Sequence, residues 1–245
     1  MARRHDINLN RCAFSIRLAI AGLLSLALAG CNRPAPLAPA SPESMPVLTV
    51  PASPAATRTI EVVYIQGEVR IDGLAPELGD RLNARFNIQT GPGARCDLVF
   101  NSGNALSVGQ NARAAFDFGA PVALIQLEQG GLSSVLKKLE NLVGRDSYVI
   151  ETTTAVAGVR GTSFCVWVDA TSTYVCACNG TVRTIDANGG NEELLESAHH
   201  TARLYSQAGS AISMAEAGLS HHDDALLESV ASRIGYSIDW TRIDD

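Results

Sequence analysis

Apolar residues occur in three patterns along this chain. They run almost unbroken through residues 18–30, come in short alternating bursts from about residue 59 onward, and recur at helical spacing in two places. The bursts predict strands. Residues 61–65 and 68–71 flank Gln66-Gly67, and residues 97–100 and 105–108 flank Asn101-Ser102-Gly103-Asn104, a turn-forming set. Residues 122–127, 147–151, 162–168, 173–178 and 181–185 continue the series. Strands this short, separated by Gly, Asn and Asp, predict a mainly β fold: a roll, sandwich or solenoid. Leu132, Val135, Leu136, Leu139, Leu142 and Val143 share helical spacing, with Ser133 or Ser134 as cap and Gly144 as stop. Leu226, Leu227, Val230 and Ile234 form a second stripe, ended by Gly235 and preceded by Ser220 and Asp223 in the manner of a weak capping box. Two short helices are therefore expected on the β body.

The first apolar run has a different meaning. Arg3, Arg4, Arg11 and Arg17 precede it with only Asp6 opposing, and its 13 residues are too few for a spanning helix. Length and flanks are those of a signal peptide. It ends in Leu28-Ala29-Gly30-Cys31, whose four positions resemble the bacterial lipobox. Cleavage before Cys31 and lipid attachment to its thiolate are expected, giving a membrane-anchored lipoprotein on the periplasmic side of the envelope. Asn32 in place of Asp favours the outer membrane. Prolines at 34, 36, 39, 42, 46, 51 and 54 then exclude helix and sheet ladders, so residues 31–58 read as an extended tether. The expected organisation is leader 1–30, tether 31–58, β domain 59–186, and a C-terminal extension 187–245 with a short helix.

Charge narrows the partners. The chain carries 19 Lys+Arg and 25 Asp+Glu; the leader removes four and one, leaving 15 against 24, a formal −9. This is no footprint for nucleic acid. Nor is it a polybasic patch for anionic lipid, which two acyl chains would make unnecessary. Expected partners are the membrane through the anchor, and envelope proteins or peptidoglycan.

Four stretches carry a family resemblance. Thr90-Gly91-Pro92-Gly93-Ala94 forms a turn into a strand. The segment Asn101-Ser102-Gly103-Asn104-Ala105-Leu106-Ser107-Val108 forms a hairpin. Residues 153–164 read TTAVAGVRGTSF, and residues 175–182 fit a closing strand. Together they resemble the FecR domain, the periplasmic sensor module of bacterial iron-uptake signalling, over roughly residues 60–186, with 157–164 the most specific block and Thr standing where the family usually has Pro. The resemblance implies a β-solenoid-like roll and a sensing or binding role without catalysis. It also implies a departure. The family's regulators place a cytoplasmic anti-sigma segment and a transmembrane helix before the sensor domain, and neither is expected ahead of Cys31. Contact with a cytoplasmic sigma factor is therefore not carried over. Within the specific block, Gly158 and Gly161 read as positions of special backbone angle or close approach, Arg160 as a structural brace, and Thr162 as part of the same scaffold.

The remaining chemistry is in Cys and His. Cys12 leaves with the leader and Cys31 is lipidated, so Cys96, Cys165, Cys176 and Cys178 remain. In an oxidising envelope a disulfide from Cys165 to Cys176 or Cys178 is one expectation. Cys176 and Cys178, two apart on a strand, face one way. His199, His200, His221 and His222 supply imidazoles, so Cys176 and Cys178 with these four histidines form a candidate site for one zinc or copper ion, at a spacing that matches no standard zinc finger. Buried inert thiols beside surface histidines and capping Asp are the plain alternative. No nucleotide loop, Ser-centred elbow, paired-carboxylate motif or thiol–base spacing indicates an enzyme. Three readings remain open: a lipid-anchored sensing module, a metal-binding or redox-responsive envelope protein, and a structural envelope component.

Overall fold

A computed structural model describes residues 59–120, 122–137, 148–159 and 161–244. The leader, lipobox and tether lie outside these residues, as does Arg160.

The described chain forms fifteen strands and one helix. They are β1 (Ile60–Gln66), β2 (Val69–Ile71), β3 (Arg81–Leu82), β4 (Arg85–Thr90), β5 (Arg95–Phe100), β6 (Asn104–Val108), β7 (Arg113–Asp117), β8 (Ala123–Leu136), β9 (Tyr148–Glu151), β10 (Ala155–Val159), β11 (Ser163–Val168), β12 (Ser172–Asp186), β13 (Glu193–Ser197), β14 (Thr201–Ala208), β15 (Ala211–Ala217) and α1 (Asp224–Ser232). The expectation of a mainly β roll with a short helix is met.

Two layers share their long strands. One runs β3-β1-β5-β6-β8-β11-β12-β14-β15, the other β2-β4-β7-β8-β9-β10-β12-β13. Residues 124–129 of β8 pair with β7 in the second layer, and residues 130–136 pair with β6 and β11 in the first. β12 makes the reverse passage: residues 173–179 pair with β11, and 182–186 with β10. Both strands bend at glycine. Gly130 has φ +76°, and a Cβ there would lie 2.6 Å from Ala112 Cα; Gly180 has φ +117°, and a Cβ there would lie 2.7 Å from the Asp244 carbonyl oxygen. Only glycine permits both the angle and the approach. Residues 173–178 and 181–185, read from sequence as two strands, are thus one strand folded over at Gly180.

Between the layers sits a core that includes Ile60, Leu98, Phe100, Leu106, Ile125, Leu132, Tyr148, Phe164, Val166 and Val175. The first layer also buries its outer face. There Ala105, Val135, Cys165, Tyr174, Cys176 and Cys178 pack under Leu227, Val230 and Ala231 of α1. Strand alternation sorts the residues: Phe164 and Val166 point inward, and Cys165 between them points to the helix.

This double burial corrects one expectation. Residues 132–136 are not helical but the end of β8, and residues 138–147 lie outside the described residues. Leu132 and Leu136 face the inter-layer core while Val135 faces α1. A strand covered on both faces loses its alternation and reads as an apolar run, which here coincides with helical spacing. The C-terminal stripe is helical as expected, but its cap is Asp223 itself, whose carboxylate accepts from Leu226 N at 2.8 Å.

Candidate functional site

The cysteine face of the first layer is closed by residues 218–244, with the turn between β13 and β14 at its margin. Asp97, fully buried on β5, fixes one end: Arg95 meets it at 2.7 and 2.8 Å, and Arg233, the C-cap of α1, at 3.0 Å. A buried carboxylate is tolerable only with such pairing. Asn179 fixes the other end. Its Nδ2 faces the carbonyls of Ala198, Asp239 and Arg242 at 2.8–3.1 Å.

Between these anchors three segments converge. β12 supplies Cys176 and Cys178, both fully buried. The turn from β13 to β14 supplies His200, at φ +57°, with its backbone N–H on the Cys178 carbonyl at 3.0 Å. The loop entering α1 supplies His222, which follows His221 at φ +66° and precedes the capping Asp223. Cys178 Sγ lies 3.2 Å from His222 Nε2, Cys176 Sγ 3.6 Å from His200 Nδ1, and the two ring nitrogens 3.3 Å from each other. All four donor atoms lie within 4.8 Å of one another.

Each imidazole is held from behind. His200 Nε2 donates to Asp224 at 2.7 Å, and His222 Nδ1 donates to the Ser220 carbonyl at 2.8 Å. Carboxylate and carbonyl accept only, so these contacts set which nitrogen carries hydrogen. Asp224 is also met by His199 at 3.0 Å. Its carboxyl is held below the ordinary range, chiefly by His200 and then by His199.

The thiols differ sharply. A hydrogen bond from Cys178 holds Cys176 well below the ordinary thiol range, with His200 and His222 adding to the effect against burial. Burial, then the facing Cys176, pushes Cys178 far up. Burial works against a charged His222, but the Cys165 and Cys176 sulfurs outweigh it and raise it to about 10.

Not every expected ligand joins. His221 stacks on Trp167, with ring centroids 4.8 Å apart, and His199 is half-exposed between Asp224 and Trp240; neither faces the sulfurs. Cys165 is the direct cross-strand partner of Cys176 in the β11–β12 ladder, and Cα separations in such pairs suit a disulfide. Both are free thiols here, as are Cys178 and Cys96. Cys96 belongs to the inter-layer core, where burial pushes its thiol to about 12. Cys165 also borders a cavity of about 290 Å³ lined by Arg95, Ser107, Gln110, Trp167 and His221 among others.

Sequence reasoning missed Asp224 and the Ser220 carbonyl as orienting groups. Their signal was present: in His221-His222-Asp223-Asp224 the first Asp caps the helix and the second lies one position on, in its first turn. In the block 157–164, Gly158 sits in β10 opposite Arg183, and Gly161 takes φ +62°. Thr162 braces β12, its hydroxyl bonding both the N–H and the C=O of Thr181 at 3.0 and 2.9 Å.

The family described as FecR protein matches residues 86–183. No curated protein matches the chain. Two crystal structures of a candidate anti-sigma factor from Parabacteroides distasonis are similar to it. One is 13 % identical with a TM-score of 0.39, covering 54 % of this chain and 60 % of that one; the other is 15 % identical with a TM-score of 0.39, covering 61 % and 65 %. The chain thus spans less than two thirds of the length of either. From β4 into β12, over residues 86–183, this chain matches the FecR family.

Proposed function

We propose that this protein is a non-catalytic binding or sensing module of the bacterial cell envelope, built on a FecR domain and held to a membrane by lipid on Cys31. The FecR domain at residues 86–183 carries the reading. The residues ahead of it support it: a basic, apolar leader ending in Leu-Ala-Gly-Cys, then a proline-rich spacer that gives reach from a bilayer. The acidic mature chain suits an envelope partner or small ligand rather than nucleic acid. The cavity beside Cys165 and Trp167, with Arg95, Ser107 and Gln110 in its wall, has room for a small polar molecule.

The test is Cys31→Ser in the full chain, expressed in a Gram-negative host with a radiolabelled fatty acid. Loss of label and accumulation of unprocessed precursor are expected. Normal processing with continued membrane attachment would overturn the anchored reading.

A further inference from the structure

The FecR match ends at residue 183, yet two of the four converging donors, His200 and His222, lie beyond it. Their geometry has a consequence independent of anchoring. Because His200 spends its Nε2–H on Asp224 and His222 its Nδ1–H on Ser220, the nitrogens that remain are lone-pair nitrogens in the neutral rings. They face each other at 3.3 Å, and the sulfurs of Cys176 and Cys178 complete the ring. The thiol protons can bridge these four atoms in the metal-free chain; once those protons leave, four electron-rich atoms gathered in one largely buried place call for a cation among them.

We propose that Cys176, Cys178, His200 and His222 bind a single Zn²⁺ ion, with Asp224 and the Ser220 carbonyl orienting the two imidazoles. Three of the six donor–donor edges already match a tetrahedral site. A tetrahedron with Zn–S of about 2.3 Å and Zn–N of about 2.0–2.1 Å has N···N edges of about 3.3 Å and S···N edges of about 3.5 Å. The N···N separation is 3.3 Å, and two S···N separations are 3.2 and 3.6 Å. The carboxylate behind His200 is the arrangement that fixes tautomer and raises basicity in metal-bound histidine. Two thiolates with two imidazoles favour zinc over the tetragonal preference of Cu²⁺. On binding, the two thiol protons leave to solvent and the Zn²⁺ charge is balanced by two thiolates.

Four protein ligands close the coordination shell, so the ion is structural. It joins β12 to the turn before β14 and to the loop entering α1, and thereby fastens the C-terminal segment over the cysteine face. Cys165 lies outside the four-donor set and keeps its thiol beside the cavity.

The experiment uses the full chain purified without a histidine tag or chelator. Elemental analysis is expected to give one zinc per chain. Replacement by Co²⁺ should produce the strong visible bands of a tetrahedral site and a near-ultraviolet thiolate band. Asp224→Asn, which leaves every ligand and the buried core in place, should weaken zinc binding by about 10–100-fold. Cys178→Ser should abolish the thiolate band or shrink it, and His221→Asn, outside the set, should retain full binding. A folded parent chain that takes up no zinc, copper bound in preference to zinc, or full affinity in both Asp224→Asn and Cys178→Ser would overturn the proposal. Circular dichroism on each variant separates loss of the site from loss of the fold.

Discussion

Gly180→Ala probes the bend on which the whole arrangement depends, because β12 leaves one layer there and enters the other immediately after Cys178 and Asn179. Two separate penalties apply. At φ +117° an alanine is outside the left-handed helical region as well as the ordinary ones, a strain of about 1–3 kcal/mol. The new methyl would also stand 2.7 Å from the Asp244 carbonyl oxygen and 2.8 and 3.0 Å from Thr162 Oγ1 and Cγ2. Backbone cannot yield as a flexible side chain can, so overpacking adds about 1–3 kcal/mol. A total near 4 kcal/mol in a domain of this size lowers Tm by about 8–16 °C. Thermal unfolding by circular dichroism reads this directly. Thr162→Ala should itself be destabilising, since it removes both bonds to Thr181. Combined with Gly180→Ala it should cost less than the sum of the two, because the side-chain clash is gone while the strain and the Asp244 contact remain. A Gly180→Ala protein melting within about 2 °C of the parent would refute the reasoning.

Leu227→Ala removes the fully buried centre of α1's contact with the cysteine face and should cost about 2–5 kcal/mol in urea unfolding; limited proteolysis should then cut first within residues 218–244, and cleavage elsewhere would contradict the docking account. Asp186 gives a pH signature. Backbone N–H of Gly190, then Asn191 and Asn188, hold its carboxyl below the ordinary 3.8. Its stabilisation is therefore complete above that value and lost as pH falls through the lower folded one, so Asp186→Asn should be less stable than the parent at neutral pH and converge with it as pH falls through that lower value. A gap independent of pH would exclude this role.

Much of the fold was legible because half-buried strands alternate. The hairpin of β5 and β6 announced itself through Asn101-Ser102-Gly103-Asn104, and the C-terminal helix through its apolar stripe and following glycine. Residues 132–136 misled because both faces of β8 are covered, which erases the period that separates strand from helix. β13 to β15 left little trace: β15 alternates exposed and half-buried residues with no fully buried one, and its ladder to β14 supplies what its side chains do not. The cysteines were legible as a pair on one face, but which histidines would meet them was not. Adjacent histidines point to different places. His200 and His222 turn inward while His221 stacks on Trp167 and His199 lies tilted against Trp240, and the choice is made by backbone angles at two turns and by a carboxylate 24 residues from the ring it holds.

The central claim is that the C-terminal segment completes a metal centre begun by two cysteines of the stretch that matches the FecR family. Zinc K-edge X-ray absorption on the untagged full chain tests it most directly. The account predicts a four-coordinate first shell of two sulfurs at about 2.3 Å and two imidazole nitrogens at about 2.0–2.1 Å. A shell of oxygen and nitrogen without sulfur, or one of four sulfurs, would contradict it.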